Sequence, residues 1–271
     1  IKALSDNHST VPGLAAVIVG EDPASEVYVR NKTRRFRNMN LHSETIRLPE
    51  ETSQKELLST IRTLNHDPVF HGILVQLPLP KHIDTDVVIN AIIPEKDVDG
   101  FHPKNLGRLT AGKPRFIPCT PKGIMRMLEH FDIDPSGKHA VVLGRSNIVG
   151  RPISILLSLK QAYSNATTTI CHSGTMDLRV ITTQADILVA ALGVPQMIDD
   201  SYIKEGTVII DVGINRASDD SEKGYKLVGD VNFDAVQGIA GAITPVPGGV
   251  GPMTIAMLVE NTVEAAESLY A

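Results

Sequence analysis

Tyr28 and Lys32 are spaced i, i+4 in the segment 26–39, which lacks glycine and proline. On a helix that spacing puts both side chains on one face. A lysine beside a tyrosine in a closed pocket has a lowered pKa and can transfer protons near neutral pH. The plain alternative is a solvated helix lysine. Gln76 lies at the end of the apolar run GILVQL, before Pro78 and Pro80. Strand ends are where ligands bind in open α/β sheets. Asp97 and Asp99 fall in the loop sequence KDVDGFH. A carboxylate there can accept from the N–H groups of a heterocycle, or it can serve the turn before Gly100. In HAVVLGRSNIVGRPISILL, Gly144 ends an apolar run, Gly150 follows six residues later and Pro152 opens a helical pattern. Glycines let backbone approach a phosphate, and free N–H groups at a helix start attract it. The spacing is not the usual G-x-G-x-x-G fingerprint, so dinucleotide binding and a plain strand-to-helix turn both remain open on spacing alone. The next strand, 167–171, runs into His172, Ser173 and Gly174 with no acid before Asp177. An acid near that strand's end would favour NAD; a cation such as Arg145 with a hydroxyl favours the 2′-phosphate of NADP. The nine histidines are scattered without metal-ligand spacing, so no metal site is expected.

The elements that must position these residues alternate between strand and helix. Apolar runs at 14–20, 72–77, 139–143, 185–192 and 207–212 read as buried strands, and 167–171 reads as a further strand. Helices are expected at 26–39, 52–64, 84–92, 149–160 and 253–269; the second carries Leu57, Leu58, Ile61 and Leu64 on one stripe. Thr120 followed by Pro121 predicts a helix start, with Thr120 as N-cap and the helix running to about residue 131. Such alternation favours parallel α/β sheets. From 101 to 122 the chain is rich in proline and glycine and is expected to be irregular, so the domain boundary is placed there. The expected domains are 1–119, completed by the C-terminal helix 253–271, and 120–252.

Bulk properties exclude several classes. The 271 residues carry 26 Lys+Arg and 31 Asp+Glu, a formal net charge of −5, which gives no general nucleic-acid footprint. No apolar run reaches the length of a membrane helix, and the N-terminus shows no signal-peptide h-region. Two cysteines, Cys119 and Cys171, do not make a disulfide framework, so a reduced, cytoplasmic setting is expected. One local exception is the basic run Arg30, Lys32, Arg34, Arg35 and Arg37. It reads as a solvated helix face, or as an attractor for an acidic substrate tail.

Together the segments are more specific than any one. PASEVYVRNK, GILVQLPLP, PEKDVDGFH, PCTPKG, GRSNIVGRP, CHSGT, DVGIN and TPVPGGVGPMT occur in this order along nearly the whole chain. The chain resembles the bifunctional methylenetetrahydrofolate dehydrogenase/methenyltetrahydrofolate cyclohydrolase (FolD) family. That resemblance implies an N-terminal α/β catalytic domain and a Rossmann-like parallel-sheet NADP domain with a cleft between them, in a homodimer. It implies oxidation of 5,10-methylenetetrahydrofolate with NADP to the 5,10-methenyl cation, then hydrolysis to 10-formyltetrahydrofolate, in the one-carbon metabolism that serves purine biosynthesis. Lys32 would be the central catalytic residue, with Tyr28 on the folate, Gln76 positioning Lys32 and water, and Asp99 on the pterin. Ser25, Val75, Leu77, Pro247, Gly248, Gly249, Val250 and Gly251 would complete the substrate site; Gly144, Arg145, Ser146, Ser173 and Ile214 would bind the cofactor. The tail attracted by the basic run would then be folate polyglutamate. Gly174 stands where the family often has lysine or arginine, which removes one phosphate contact. A dehydrogenase-only relative and a non-catalytic nucleotide binder are the competing readings, disfavoured by the presence of Lys32 with Tyr28, Gln76 and Asp99.

Overall fold

The computed structural model describes residue 4 and residues 10–219 and 224–270, apart from the side chains of Pro23, Ala24, Ser25 and Val27. The chain divides into two compact units: 1–119 with 255–271, and 120–254.

In the first unit, β1 (Gly13–Val19) is buried along its whole length and pairs in parallel with β2 (His42–Leu48) and β3 (Gly72–Val75), in the order β2-β1-β3. A strand covered on both faces reads as a continuous apolar run, as β1 and β3 do. β2, HSETIRL, lies at the edge and carries polar residues on its open side, which is why no apolar run announced it. Helix α1 spans Pro23–Asn38 and α2 spans Gln54–His66. Ser53 and Glu56 form a reciprocal capping box at the start of α2. Helix α3 (Thr85–Ala91) begins at Asp84, whose carboxylate accepts from two backbone N–H groups. Leu57, Ile61 and Leu64 of α2 pack with Ala15, Val17, Ile73 and Val88 in one apolar core.

Two expectations for 101–122 are corrected. A helix, α4 (Pro103–Thr110), occupies part of the segment expected to be irregular. His102 caps it by accepting from Lys104 N, and Pro103 sits at its first position. Its polar content hid the periodicity. The following helix, α5, spans Cys119–His130, so Thr120 lies inside the first turn instead of capping it.

The second unit holds a five-stranded parallel sheet in the order β10-β7-β6-β4-β5. These strands are β4 (His139–Leu143), β5 (Thr167–Cys171), β6 (Ile187–Ala190), β7 (Val208–Asp211) and β10 (Ala242–Ile243). A two-stranded antiparallel ribbon, β8 (Asn215–Ser218) with β9 (Tyr225–Val228), follows β7. Helices α6 (Gly150–Ser158), α7 (Leu178–Thr182) and α8 (Phe233–Val236) complete the series. Alternate residues of β4 face opposite layers. Ala140 and Val142 pack with Ile124, Leu128, Ile153 and Leu157; Val141 and Leu143 pack with Ile198, Ile203 and Val236. This is a doubly covered, Rossmann-like sheet. The last helix, α9 (Val250–Glu267), starts in the second unit and ends in the first.

Candidate active site

Helix α1 buries Val29, Lys32, Thr33 and Phe36 on one stripe. Lys32 therefore occupies a core position between two apolar residues and is 5% exposed. Its Nζ lies 4.7 Å from the centroid of the Tyr28 ring, one helical turn back, within cation–π range. Nζ also donates to Gln76 Oε1 at 3.2 Å. Gln76 follows directly after β3, and its backbone N–H donates to Val17 O, extending the sheet pairing by one residue. Its Nε2 donates to Leu77 O at 2.7 Å. That second bond fixes which end of the amide is which, so the oxygen faces the lysine. The Leu77–Pro78 peptide is cis.

Burial lowers the Lys32 pKa, while Asp99 and the Cys119 thiol pull it the other way. Burial likewise pushes the Asp99 carboxyl up, opposed by the Lys32 charge and a hydrogen bond with Cys119. Two groups whose environments drive them toward neutrality, side by side, are a setting for proton transfer. The neighbouring Asp97 serves the turn. It is buried, and its carboxylate accepts from Phe101 N, His102 N and Asn105 Nδ2. Burial pushes its pKa up to about 7, against those three bonds.

Two residues missed by sequence reasoning support this loop. Cys119 Sγ reaches Val98 O at 3.3 Å as well as Asp99. Asn261 of α9 is fully buried and donates from Nδ2 to Val98 O at 2.8 Å and to Ile117 O at 3.0 Å. Its signal was available: a polar residue on the apolar stripe that carries Leu258, Val259 and Thr262. Val75 is buried in β3 and Leu77 is partly exposed beside Gln76. Ser25 lies outside the described side chains. The basic run is not one face: Arg30, Arg34, Arg35 and Arg37 are exposed while Lys32 turns inward. At 100° per residue, Arg30, Arg34 and Arg37 lie on the opposite side of α1 from Lys32.

The second unit gathers the other residues. Gly144 has φ 114°, and a Cβ there would overlap Ala191 O. A Cβ on Gly150 would overlap Gly144 O. The turn is thus closed on itself, with bare backbone where a phosphate would sit. Ser146 Oγ accepts from Val149 N at 3.1 Å and Gly150 N at 3.4 Å, so it braces the start of α6. Arg145 and Ser173 are exposed. Gly174 N donates to His172 Nδ1, which shapes the turn after β5. The Val246–Pro247 peptide is cis and Gly248 has φ 112°; buried Val250 opens α9. Gly251 faces Ile214, whose Cδ1 would lie 3.8 Å from a Cβ on the glycine. The structure therefore brings Tyr28, Lys32, Gln76 and Asp99 together in one unit, and Gly144–Ser146 and Ile214–Gly251 in the other. Among the described residues, no group of three or more His, Cys, Asp or Glu could hold a metal ion.

Sheet order, glycine turn and buried lysine define a two-unit α/β protein with a dinucleotide-type sheet. The family models agree with this. Residues 1–99 match the tetrahydrofolate dehydrogenase/cyclohydrolase catalytic domain, and residues 118–270 match the NAD(P)-binding domain of the same family. A relative from Moorella thermoacetica, "Bifunctional protein FolD", is 60% identical over 255 residues, covering 94% of this chain and 88% of that one. The crystal structure of the bifunctional FolD dehydrogenase/cyclohydrolase from Campylobacter jejuni superposes with a TM-score of 0.91 at 47% identity, covering 97% and 91% of the two chains. The Trypanosoma brucei dehydrogenase–cyclohydrolase, solved with NADP cofactor and an inhibitor, gives a TM-score of 0.94 at 38% identity, covering 100% and 92%. The chain belongs to the tetrahydrofolate dehydrogenase/cyclohydrolase family.

Proposed function

We propose that this chain oxidises 5,10-methylenetetrahydrofolate to the 5,10-methenyl form with NADP and hydrolyses the product to 10-formyltetrahydrofolate. The observation that carries the reading is the buried Lys32 amine, hydrogen-bonded to Gln76 Oε1 and set against Tyr28. NADP, when bound, supplies the acceptor for the hydride that leaves the methylene carbon. Gly144, Arg145, Ser146, Ser173 and Ile214 hold it; the bare backbone of the glycine turn suits its phosphates, and the exposed Arg145 and Ser173 suit a 2′-phosphate. Water then adds to the methenyl carbon and the ring opens. Lys32, whose charged form burial disfavours, takes in its amine form the proton released by that water. Gln76 orients the amine, Tyr28 stacks on the folate and Asp99 accepts from the pterin N–H groups. Ser25, Val75 and Leu77 flank the substrate, and Pro247, Gly248, Gly249, Val250 and Gly251 take the folate and nicotinamide end.

The test is a Lys32→Met variant assayed for both reactions, with NADP and NAD compared in parallel. Hydrolysis of methenyltetrahydrofolate should fall by about 10²–10⁴-fold, the usual worth of a general acid or base. Hydrolysis at the normal rate would remove Lys32 from the mechanism.

The domain roles are proposed as folate chemistry in 1–119 with 253–271 and NADP binding in 120–252. A homodimer is proposed on the edge of the second sheet. There β5 has one open edge, and Ile170 near its end is 39% exposed. Two such edges pair across a twofold axis. An Ile170→Lys variant should run as a monomer in light scattering; an unchanged mass would remove this interface. Both cysteines are buried thiols outside any disulfide, in keeping with the reduced, cytoplasmic setting proposed. We propose that the 10-formyl product feeds the one-carbon supply to purine biosynthesis.

A further inference from the structure

Asp211 and Asp230 form a carboxylate pair that the reaction chemistry leaves unused. Asp211 is the last residue of β7 and is buried; Asp230 is fully buried just after β9. Asp211 Oδ1 accepts from Gly213 N and Asp230 N, and its Oδ2 accepts from Val231 N, each at 3.0 Å. Asp230 Oδ2 accepts from Leu192 N at 2.6 Å and Gly193 N at 2.9 Å, and its Oδ1 accepts from Asn215 Nδ2 at 2.9 Å. The two side chains thus collect donors from the turn after β6, the turn after β7 and the segment after β9. Glycine is required at both approaches. A Cβ on Gly213 would overlap Asp230 Oδ1, and one on Gly229 would overlap Asp211 Oδ2.

The turn after β6 stands where the sheet's order reverses, and the turn after β7 is its neighbour one strand further out. β5 lies on one side of β4 and β6 on the other, and dinucleotides bind outside the carboxyl ends of strands at such a switch point. Gly144, after β4, abuts Ala191, next to Leu192. Ile214 lies between Gly213 and Asn215. Burying two carboxylates is expensive even when they are well hydrogen-bonded, and apolar residues would pack the same space at less cost. What the carboxylates add is position: rigid backbone acceptance at several fixed points.

We propose that the Asp211–Asp230 pair is the positioning centre of the dinucleotide face, holding the turns after β6 and β7 in the shape that accepts the nicotinamide–ribose half of the cofactor. The inference rests on the NADP-dependent reading above. Neither residue touches the reacting atoms, and the pair belongs wholly to the second unit, whereas Lys32 belongs to the first. The two reactions therefore respond differently when it is disturbed.

The test uses three full-length variants: Asp230→Ala, Asp230→Asn and Asp211→Asn. NADP binding is measured by calorimetry, dehydrogenation by its KM and kcat, and hydrolysis of methenyltetrahydrofolate without nucleotide. Asp230→Ala should weaken NADP at least tenfold, raise its KM, and leave hydrolysis within about twofold. Asp230→Asn should recover most of the binding. Asn215 can reverse its own amide and present oxygen to the new NH₂ group, leaving the carbonyl for Leu192 N and Gly193 N. Asp211→Asn has no such escape, because its three donors are backbone N–H groups, so it should bind NADP more weakly than Asp230→Asn. Should Asp230→Ala not fold, this ranking of the two asparagine variants decides the matter. Wild-type NADP binding in Asp230→Ala, or equal binding in both asparagine variants, would overturn the inference. So would proportional loss of both reactions, which marks a general structural role. A wild-type enzyme that turned over neither folate would instead overturn the functional reading.

Discussion

Exchange of Gln76 for glutamate keeps the shape of the side chain and changes its charge. In the structure Lys32 Nζ is 3.2 Å from the amide oxygen that the carboxylate would replace. Two unit charges at that separation attract by about 5 kcal/mol at an effective dielectric constant of about 20. That attraction favours the ammonium form, so the Lys32 pKa would rise. Burial now lowers that pKa, so the exchange opposes what burial achieves and favours the ammonium ion at neutral pH. An ammonium ion cannot take a proton from water. Hydrolysis of methenyltetrahydrofolate should therefore fall steeply at neutral pH and recover as the medium becomes alkaline. The assay is the decay of methenyl absorbance, followed across the neutral and mildly alkaline range for wild type and Gln76→Glu. A Gln76→Leu control removes the acceptor without adding charge, so it should lose rate without moving the rising limb to higher pH. If the Gln76→Glu profile superimposed on the wild type, or its rising limb moved to lower pH, proton transfer through neutral Lys32 would be wrong.

Three further outcomes follow from the same geometry. Asp97 is pushed up to about 7 in the folded chain, so the folded state holds its proton more tightly than the unfolded state between pH about 4 and 7. This residue's contribution to stability therefore falls as pH rises through that window, by about 4 kcal/mol. Asp97→Asn should abolish that slope in urea unfolding, and equal slopes in both proteins would refute it. Gly144→Ala forces a side chain into a positive φ and against Ala191 O, at a conformational cost of about 1–2 kcal/mol before any overlap; calorimetry should show NADP binding at least tenfold weaker. Asn261→Leu leaves Ile117 O without its amide donor and Val98 O with the Cys119 thiol, so thermal unfolding should show a loss of about 1–3 kcal/mol, the cost of one abandoned buried group. A variant as stable as wild type would show that water or neighbouring donors replace the amide.

A strand buried on both faces is legible because its cover demands an unbroken apolar run: β4 begins and ends where the residues predict; the half-exposed edge strand β5, TTTIC, also keeps its predicted bounds, on its β-branched residues. The edge strand β2 and helix α4 were not, since each exposes a polar side and carries no long apolar period. At the site, Tyr28 and Lys32 were readable as neighbours because helical spacing is local. Whether Lys32 faced water or core was not readable from the basic run around it; only the fold separates it from Arg30 and Arg34. The partners Cys119 and Asn261, and the bonds between Asp230 and Leu192, join positions far apart in sequence. No periodicity reports such pairings, although a lone polar residue on an apolar helical stripe marks where one must occur.

The crossing of α9 from one unit to the other has a consequence for how the protein is made. Domains emerging from a ribosome generally fold from the N-terminus onward. Here residues 120–254 are complete before the segment 255–271 is synthesised, so the unit that begins the chain is the last to be finished. Until α9 appears, the loop bearing Asp99 waits without the amide of Asn261 that ties Val98 to Ile117. A stop codon shortly after 254 would then yield a polypeptide whose nucleotide-binding half is whole and whose lysine-bearing half lacks its closing brace. Nonsense changes in the codons for residues 255–271 should accordingly produce dinucleotide binders that turn over no folate.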